Sequence, residues 1–336
     1  MSDLGPLFES VPSKGSSQDS VHKSSKSEVT PSTASASEQT EFDDPILNDE
    51  IDALDQLFLS SQRLLQSAEY RDFLKFISRF SKYSPFNAAL LHVQNPGVRF
   101  VATPRQWLRD FKRHVEPDAR PYVILQPFGP VLLVYDVGDT VPVEGTQDDL
   151  PDHVKNPFAV EGSIDQQMWS RVVSNCQGEE RIAIRLEKGL HENYAGRIEP
   201  AGSKNKPYLK PDRTDCTHIV TVRNGENCPY EEKYATLSHE LAHLFCGHLG
   251  ADGTDWWPDR PDLPIAVREI EAESVAYLVC RRAGLVSRSD WYLRNHLTKI
   301  DDDQLLPPIR VRVILDAVNY IEKIGKPDFS SKRDTA

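Results

Sequence analysis

Residues 230–248 read YEEKYATLSHELAHLFCGH, and the predicted fold of the second half of the chain follows from this stretch. Two histidines four residues apart, His239 and His243, lie one above the other on a helix, so both imidazoles can reach one metal ion. Glu240, next to the first histidine, can then contact a water molecule in the open fourth position of a catalytic zinc site. The spacing predicts a site for one Zn²⁺ ion, with Glu240 as the catalytic base.

The surroundings of this motif favour a helix that follows a strand. Pro229 precedes it and Glu231 and Glu232 lie in its first turn, which suits a helix start because carboxylates favour the positive end of the helix dipole. Upstream, residues 218–223 read HIVTVR and alternate as a strand does. This strand is expected to hold an extended peptide by pairing along its edge.

A second acidic helix, predicted over 266–283, contains REIEAESVA and offers the third metal ligand. The loop before it lets the chain return, so that Glu269 or Glu271 can complete a His₂Glu site. At about 100° per residue, Glu269 shares a helix face with Glu273 and two alanines, whereas Glu271 points to the other side. Glu269 is therefore the better candidate, and Glu271 is expected to be a charge near the domain surface.

Two further residues are expected to support the ligands from behind. Glu273 lies one turn after Glu269 and is placed to accept a hydrogen bond from a ligating histidine. His248 lies nine residues after His239, the wrong helical phase for a ligand, so it is predicted to contact the ligands from outside or to close the helix end.

Composition restricts the class of protein. The chain has 336 residues and a net charge of -12, with no apolar run near the roughly 18 residues that a membrane span requires. Its N-terminus lacks the basic and apolar regions of a secretory signal, so we expect a cytoplasmic protein without a membrane partner. The five cysteines are an odd number with no C-x-x-C pair, which argues against a disulfide framework.

Changes in composition divide the chain into segments. Residues 1–45 are rich in Ser, Thr and Lys and nearly devoid of large apolar side chains, so they are predicted to be a disordered tail. Helical spacing followed by two β-branched runs predicts a small α+β domain over 46–140. Mixed signals make 141–175 an irregular linker, the metal motifs lie in a domain over 176–325, and 326–336 is a short disordered tail.

The predicted N-terminal domain carries a charge opposite to that of the whole chain. Between residues 57 and 130 there are eleven basic and five acidic side chains, which is a local excess of six positive charges. Aromatic residues are interleaved with these charges, and stacking plus phosphate contact is how proteins hold single-stranded nucleic acid. We predict weak binding of single-stranded DNA; the candidate contacts are Phe86, Arg105, Trp107, Lys112, Arg113 and Tyr122.

The segment LSHELAHLFCGH (residues 237–248), followed by Glu269, Ala272 and Glu273 in an E-x-x-A-E pattern, resembles the ImmA/IrrE-type metallopeptidases and the C-terminal domain of ArdC-type antirestriction proteins. The resemblance implies a zincin-like (gluzincin) domain of overall α+β class, in which one helix bears the HExxH motif and another the glutamate. It also places the third ligand on Glu269.

The upstream segments SPFNAALL (residues 84–91) and QNP (residues 94–96), with Trp107 and VYDV (residues 134–137), are similar to the single-stranded-DNA-binding N-terminal domain of the ArdC type. One departure is that EPD (residues 116–118) stands where the family has a basic, glycine-rich turn.

Two functions follow as hypotheses. The first is a zinc-dependent endopeptidase that hydrolyses a specific protein substrate, with a transcriptional repressor as one candidate. The second is a single-stranded-DNA-binding, antirestriction-type protein whose zinc domain is mainly structural or regulatory. The intact Glu240 favours the first, because a structural zinc site has no use for a base beside its first ligand. Neither the substrate nor the oligomeric state follows from the sequence.

Overall fold

In a computed structural model, the described residues are 67–126, 131–146, 150–151, 154, 162–188, 195–201, 216–225, 228–251, 255–285 and 308–331. The tail predicted over 1–45, the first helix predicted after it and residues 332–336 lie outside this set. Seven α-helices and eight strands occur among the described residues, which confirms the predicted α+β class. None of the described helices combines the length and apolar character that crossing a membrane requires.

The helices, numbered along the chain, are α1 (Ser67–Arg79), α2 (Pro85–Gln94), α3 (Pro104–Phe111), α4 (Gln166–Gly178), α5 (Tyr230–Phe245), α6 (Ile265–Arg282) and α7 (Val311–Ile324). The strands are β1 (Val101–Ala102), β2 (Arg113–Val115), β3 (Tyr122–Ile124), β4 (Leu132–Asp136), β5 (Thr140–Pro142), β6 (Ile182–Glu187), β7 (Gly196–Pro200) and β8 (His218–Arg223).

The strands in the first half form two small antiparallel sheets. The first has the order β1-β4-β3, and the second is a ribbon of β2 and β5. The two β-branched runs form β3 and β4, which pair with each other with Val123 opposite Leu133. Two amide side chains of α2 bind the backbone of residues 123 and 125: Gln94 donates to the carbonyl oxygen of Val123 at 2.8 Å and Asn87 to that of Leu125 at 2.8 Å.

A mixed sheet in the second half positions the metal motif. Its strand order is β6-β8-β7, with β6 parallel and β7 antiparallel to β8. Helix α5 packs on β7 and β8, and α6 packs along α5. The two predicted acidic helices therefore lie side by side, with the first of them against the sheet.

One continuous apolar core joins helices from both halves of the chain. Helix α1 packs against α2 and α6, and α7 packs against α2, α5 and α6. The hydroxyl of Tyr70 in α1 donates to Ser274 in α6 at 2.9 Å. The domain boundaries predicted from composition remain predictions.

A buried arginine near the end of α6 ties this arrangement together. The guanidinium of Arg282 donates to the carbonyl oxygens of Ile77 and Phe80 at 3.1 Å and of Tyr83 at 2.7 Å. It also pairs with Glu322 of α7 at 2.6 Å. Because each donor finds an acceptor, the buried charge is compensated and fixes α1, α6 and α7 to one another.

One described helix departs from the sequence prediction. Helix α4 occupies the end of the stretch 141–175, which composition predicts to be irregular. Its start is capped by Asp165, whose side chain accepts from the backbone N–H of Met168 at 2.7 Å. Trp169, Val172 and Cys176 form its buried face. The cap and the apolar spacing of three and four residues are both helix signals.

Candidate metal centre

Three predicted ligands converge between α5 and α6. The Nε2 atoms of His239 and His243 lie 3.1 Å apart. The carboxylate of Glu269 approaches both: Oε2 lies 3.6 Å from His239 Nε2 and Oε1 lies 3.7 Å from His243 Nε2. One ligand atom from each residue can thus be chosen so that all three lie within 4.8 Å of one another.

These distances fit a tetrahedral metal ion. Zinc bonds to nitrogen and oxygen at about 2.0–2.2 Å, so two ligand atoms on a tetrahedral ion lie about 3.4 Å apart. The two histidine nitrogens, 3.1 Å apart, lie close to that value, and each has one oxygen of Glu269 at a similar distance, Oε2 at 3.6 Å from His239 and Oε1 at 3.7 Å from His243. The side chains of His239 and Glu269 remain 19% and 33% exposed, so the site is open to solvent on one side.

The charges around the site also fit a cation. Burial acts to lower the pKa of His239, but Glu273, Glu240 and Glu269 together raise it to about 9. Burial and the neighbouring charge of His239 lower the pKa of His243 to about 2. At neutral pH the imidazole of His239 therefore carries a positive charge, and that of His243 is neutral and offers one nitrogen lone pair. The carboxylates of Glu269 and Glu273 attract positive charge to His239 from its two sides, and a divalent ion between the ligand atoms satisfies the same demand.

Glu240 lies beside this centre in a nearly dry environment. Its side chain is held against the sheet, where the backbone N–H of Ile198 in β7 donates to the carboxylate. Burial raises the pKa of Glu240 to about 7, and the negative charge of Glu269 acts in the same direction. A carboxyl group with a pKa near the ambient pH can both accept and release a proton, as a general acid–base catalyst must.

Gly196 lets the strand and the motif helix approach this closely. A Cβ at Gly196 would lie 2.5 Å from Thr236 Cγ2 and 3.1 Å from Glu240 Oε1. We expect Gly196→Ala to push β7 away from α5 and to lower the free energy of unfolding by about 1–3 kcal/mol. Urea denaturation measures this. Gly178→Ala is the matched control, since nothing lies within 4 Å of a Cβ there; equal stabilities of the two variants would contradict the expected clash.

The residues behind the ligands are arranged differently for the two histidines. Glu273 Oε1 lies 3.4 Å from His239 Nδ1, so the predicted outer partner of that ligand is in place. Behind His243, Nδ1 faces His248 Nδ1 at 3.0 Å. His248 in turn contacts Glu271, which is fully buried. The expectation that Glu271 is a surface charge is wrong, because Glu271 points into the protein, away from the open side of the site.

The sheet topology contradicts the expectation that residues 218–223 bind an extended peptide along a free strand edge. Strand β8 is the central strand of β6-β8-β7, so both of its edges are occupied by other strands. The expectation that β8 pairs with an extended peptide is therefore wrong. The strand that touches Glu240 is β7, whose sequence GRIEP lacks the run of β-branched residues that marks a strand.

The candidate DNA-contact residues fall into two groups. Arg105 and Lys112 are exposed and Phe86 and Tyr122 are half-buried, so all four present some surface to solvent. The ring of Phe86 lies under the guanidinium of Arg312, 4.9 Å from its carbon to the ring centroid.

Two other candidates are enclosed in the protein. Trp107 is 0% exposed, and its indole N–H donates to the carbonyl oxygen of Tyr135 at 2.9 Å. Arg113 is buried and donates to Thr140 at 2.8 Å and 2.5 Å. In this conformation neither can stack on a base or reach a phosphate, which is a correction to the predicted contact set. Their side chains stabilise the small sheets instead.

The chain matches known proteins only in a comparison with solved structures. No protein-family model matches the chain, and no curated protein matches it. A search of solved structures finds similarity to the crystal structure of the antirestriction protein ArdC from plasmid R388 in its Mn(II)-bound form. The two share 16% sequence identity at a TM-score of 0.40, over 82% of this chain and 96% of that chain. Similarity at this level does not assign the chain to a family.

Proposed function

We propose that this chain is a zinc metallopeptidase of gluzincin type, which hydrolyses peptide bonds in a specific protein substrate. The observation that carries the proposal is the carboxyl group of Glu240, which lies beside three converging ligand atoms and has a pKa of about 7. A metal site that only supports a fold has four protein ligands and no open position. Here three ligands among the residues that the structure describes, partial exposure and an adjacent base favour a catalytic site.

In this proposal the chain's own groups handle the metal and the proton. His239, His243 and Glu269 hold the ion through two nitrogen atoms and one carboxylate. Once bound, zinc would polarise the scissile carbonyl and lower the pKa of a water ligand toward neutrality. Glu240 takes a proton from the attacking water on a carboxylate oxygen and passes it to the departing amine. The N–H of Ile198 keeps the carboxylate oriented during both transfers.

The test combines metal analysis with a search for cleavage products. Purified protein is stripped with a chelator and reloaded with zinc, manganese or iron, because two histidines and one carboxylate suit several of these ions. We expect one equivalent per chain and, in a proteome digest, new peptide N-termini only with the loaded protein. Full occupancy without any new termini would contradict the peptidase.

A second candidate is a single-stranded-DNA-binding protein of antirestriction type, in which the metal site is structural or regulatory. The observation that favours it is the excess of six positive charges over residues 57–130; the exposed basic residues of this segment include Arg105 and Lys112. Glu116 and Asp118, at the turn before β3, reduce the positive charge nearby, so any binding should be weak.

This candidate predicts a defined dependence on salt. Reversing both charges in Arg105→Glu/Lys112→Glu should weaken binding of an oligothymidylate and lower the slope of log affinity against log salt by about 1.4, since each contact to a single strand contributes about 0.7. Fluorescence anisotropy of the full chain measures both quantities. The control is Lys323→Glu/Lys326→Glu, outside the basic segment. An equal loss in both pairs, or no binding by the wild type at low salt, would count against this surface.

A further inference from the structure

A row of enclosed polar side chains continues from His243 away from the metal site. His243 Nδ1 faces His248 Nδ1 at 3.0 Å, and His248 Nε2 faces Glu271 Oε2 at 2.8 Å. The side chains of His248 and Glu271 have no exposed surface. The guanidinium of Arg260 binds both carboxylate oxygens of Glu271, at 2.8 and 2.9 Å. The backbone N–H of Arg310 adds a further bond at 2.9 Å.

The donor and acceptor at each hydrogen bond of this row follow from the state of Glu271 at its far end. Both oxygens of Glu271 accept from the guanidinium of Arg260, and one of them also accepts from the backbone N–H of Arg310, so the carboxylate is half of an ion pair and is ionised. An ionised carboxylate can only accept, so His248 must carry its proton on Nε2. In its neutral form, His248 then has a lone pair on Nδ1. That lone pair accepts from His243 Nδ1–H, which leaves a lone pair on His243 Nε2, the atom that faces His239 and Glu269.

We propose that His248 is a positioning residue for the metal ligand His243, and that Arg260 and Glu271 anchor it. The row holds the ring of His243 in the one tautomer that can bind a metal through Nε2, and it fixes the direction of that atom. Outer partners of this kind raise the basicity of a ligating histidine and set its ring orientation. The inference rests on the proposed function, because it assumes that His243 binds the metal.

The loop between α5 and α6 supplies the anchor and is itself tied to the end of α5. The backbone N–H of Arg260 donates to Gly247 O at 3.0 Å, and its side chain donates to Cys246 O at 3.2 Å. Gly247 has φ of +78°, and a Cβ there would lie 1.8 Å from the carbonyl oxygen of Pro258. Only glycine permits this contact. The loop is therefore held where Arg260 reaches Glu271.

A different use of the same residues is a second metal site, because Cys246, His248 and Glu271 could each offer a ligand atom. Two observations argue against it. Both oxygens of Glu271 already accept hydrogen bonds from Arg260, and the positive charge of this guanidinium would repel a metal cation. Burial raises the pKa of the Cys246 thiol well above its usual value, whereas a metal needs the thiolate.

The test compares two substitutions of His248 in the full chain. His248→Leu removes both bonds and should weaken zinc affinity by about 10–100-fold, the usual cost of losing an outer partner. His248→Gln keeps one acceptor and one donor on adjacent atoms, so it should recover most of the affinity. Competition with a chromophoric chelator measures affinity. Cys246→Ala is the matched control and should bind one zinc ion as tightly as the wild type.

A spectroscopic readout separates positioning from mere packing. In the zinc-loaded wild type, two-bond ¹H–¹⁵N spectra of the imidazoles should show His243 protonated on Nδ1 and His248 on Nε2 only. A doubly protonated His248, unchanged affinity in a folded His248→Leu variant, or a second zinc ion lost in Cys246→Ala would each overturn the proposal. If His248→Leu does not fold, the tautomers of the wild type and the affinity of His248→Gln decide it. If the wild type binds zinc as described but cleaves no protein, only the proposed peptidase function is contradicted. If it binds no metal, both the peptidase function and the positioning role of His248 are contradicted.

Discussion

Glu240→Gln is expected to lower the rate of peptide hydrolysis by about 10²–10⁴-fold, the usual contribution of a positioned general acid–base group. The substitution removes the proton acceptor but none of the three ligand atoms. Glutamine has nearly the shape of glutamate, so it can still accept the hydrogen bond from the N–H of Ile198. Metal content measured by mass spectrometry should remain at one equivalent, and the loss should appear in kcat rather than in KM.

Stability provides the control for this variant. Burial raises the pKa of Glu240 from 4.5 to about 7, so between these two values the unfolded chain has released its proton while the folded protein still holds it, and the wild type loses stability as the pH rises. Without bound metal, a neutral amide should therefore leave the free energy of unfolding unchanged below about pH 4.5, raise it progressively from there to about pH 7, and keep the full gain at higher pH. Retained hydrolysis, or loss of the metal together with the activity, would contradict the role of Glu240 as a base.

The ligand positions could be predicted from sequence because they depend on helical geometry alone. A spacing of four residues places His239 and His243 on one face wherever the helix lies, and Glu269 with Glu273 is fixed by the same rule on α6. Helical periodicity does not predict what surrounds the opposite face of α6, where Glu271 lies. Glu271 points away from the ligands as predicted, but toward Arg260 in a loop whose path no periodicity specifies.

The polar residues of α2 show how a functional-looking motif can be structural. Asn87 and Gln94 belong to the segments that resemble a DNA-binding domain, yet each both donates to and accepts from the backbone of the β3 edge. Asn95 donates to the hydroxyl of Tyr122 at 2.9 Å. Bonds between a helix side chain and a strand about thirty residues away leave no local pattern, so sequence reasoning cannot separate them from ligand contacts.

The strand β7 and the role of Gly196 within it also could not be predicted from neighbouring residues in the sequence. The sequence GRIEP has a single β-branched residue, Ile198, between a glycine and a proline, and it becomes a strand because it pairs with the edge of β8. Tertiary context overrides propensity most easily in short edge strands. A glycine in sequence is typical of a turn, whereas in the fold Gly196 lies where β7 approaches Thr236 and Glu240 of α5 too closely for a Cβ.

Two glutamates two residues apart on α6 should respond to removal in opposite ways. Glu269→Ala is expected to weaken metal affinity by more than the roughly 10–100-fold that the loss of an outer partner costs, because a ligand itself is lost. Glu269 is partly exposed and pairs only loosely with the histidines, at 3.6 and 3.7 Å. The stability of the chelator-treated protein should therefore change by no more than about 1 kcal/mol.

Glu271→Ala should instead lower the free energy of unfolding by about 3–5 kcal/mol, because it leaves the buried guanidinium of Arg260 without its carboxylate. Its effect on the metal is indirect, since Glu271 reaches His243 only through His248, so zinc affinity should fall less than in Glu269→Ala. Urea denaturation and chelator competition on both variants measure the two quantities. Metal loss confined to Glu271→Ala, or a large stability loss confined to Glu269→Ala, would exchange the two roles and remove Glu269 from the site.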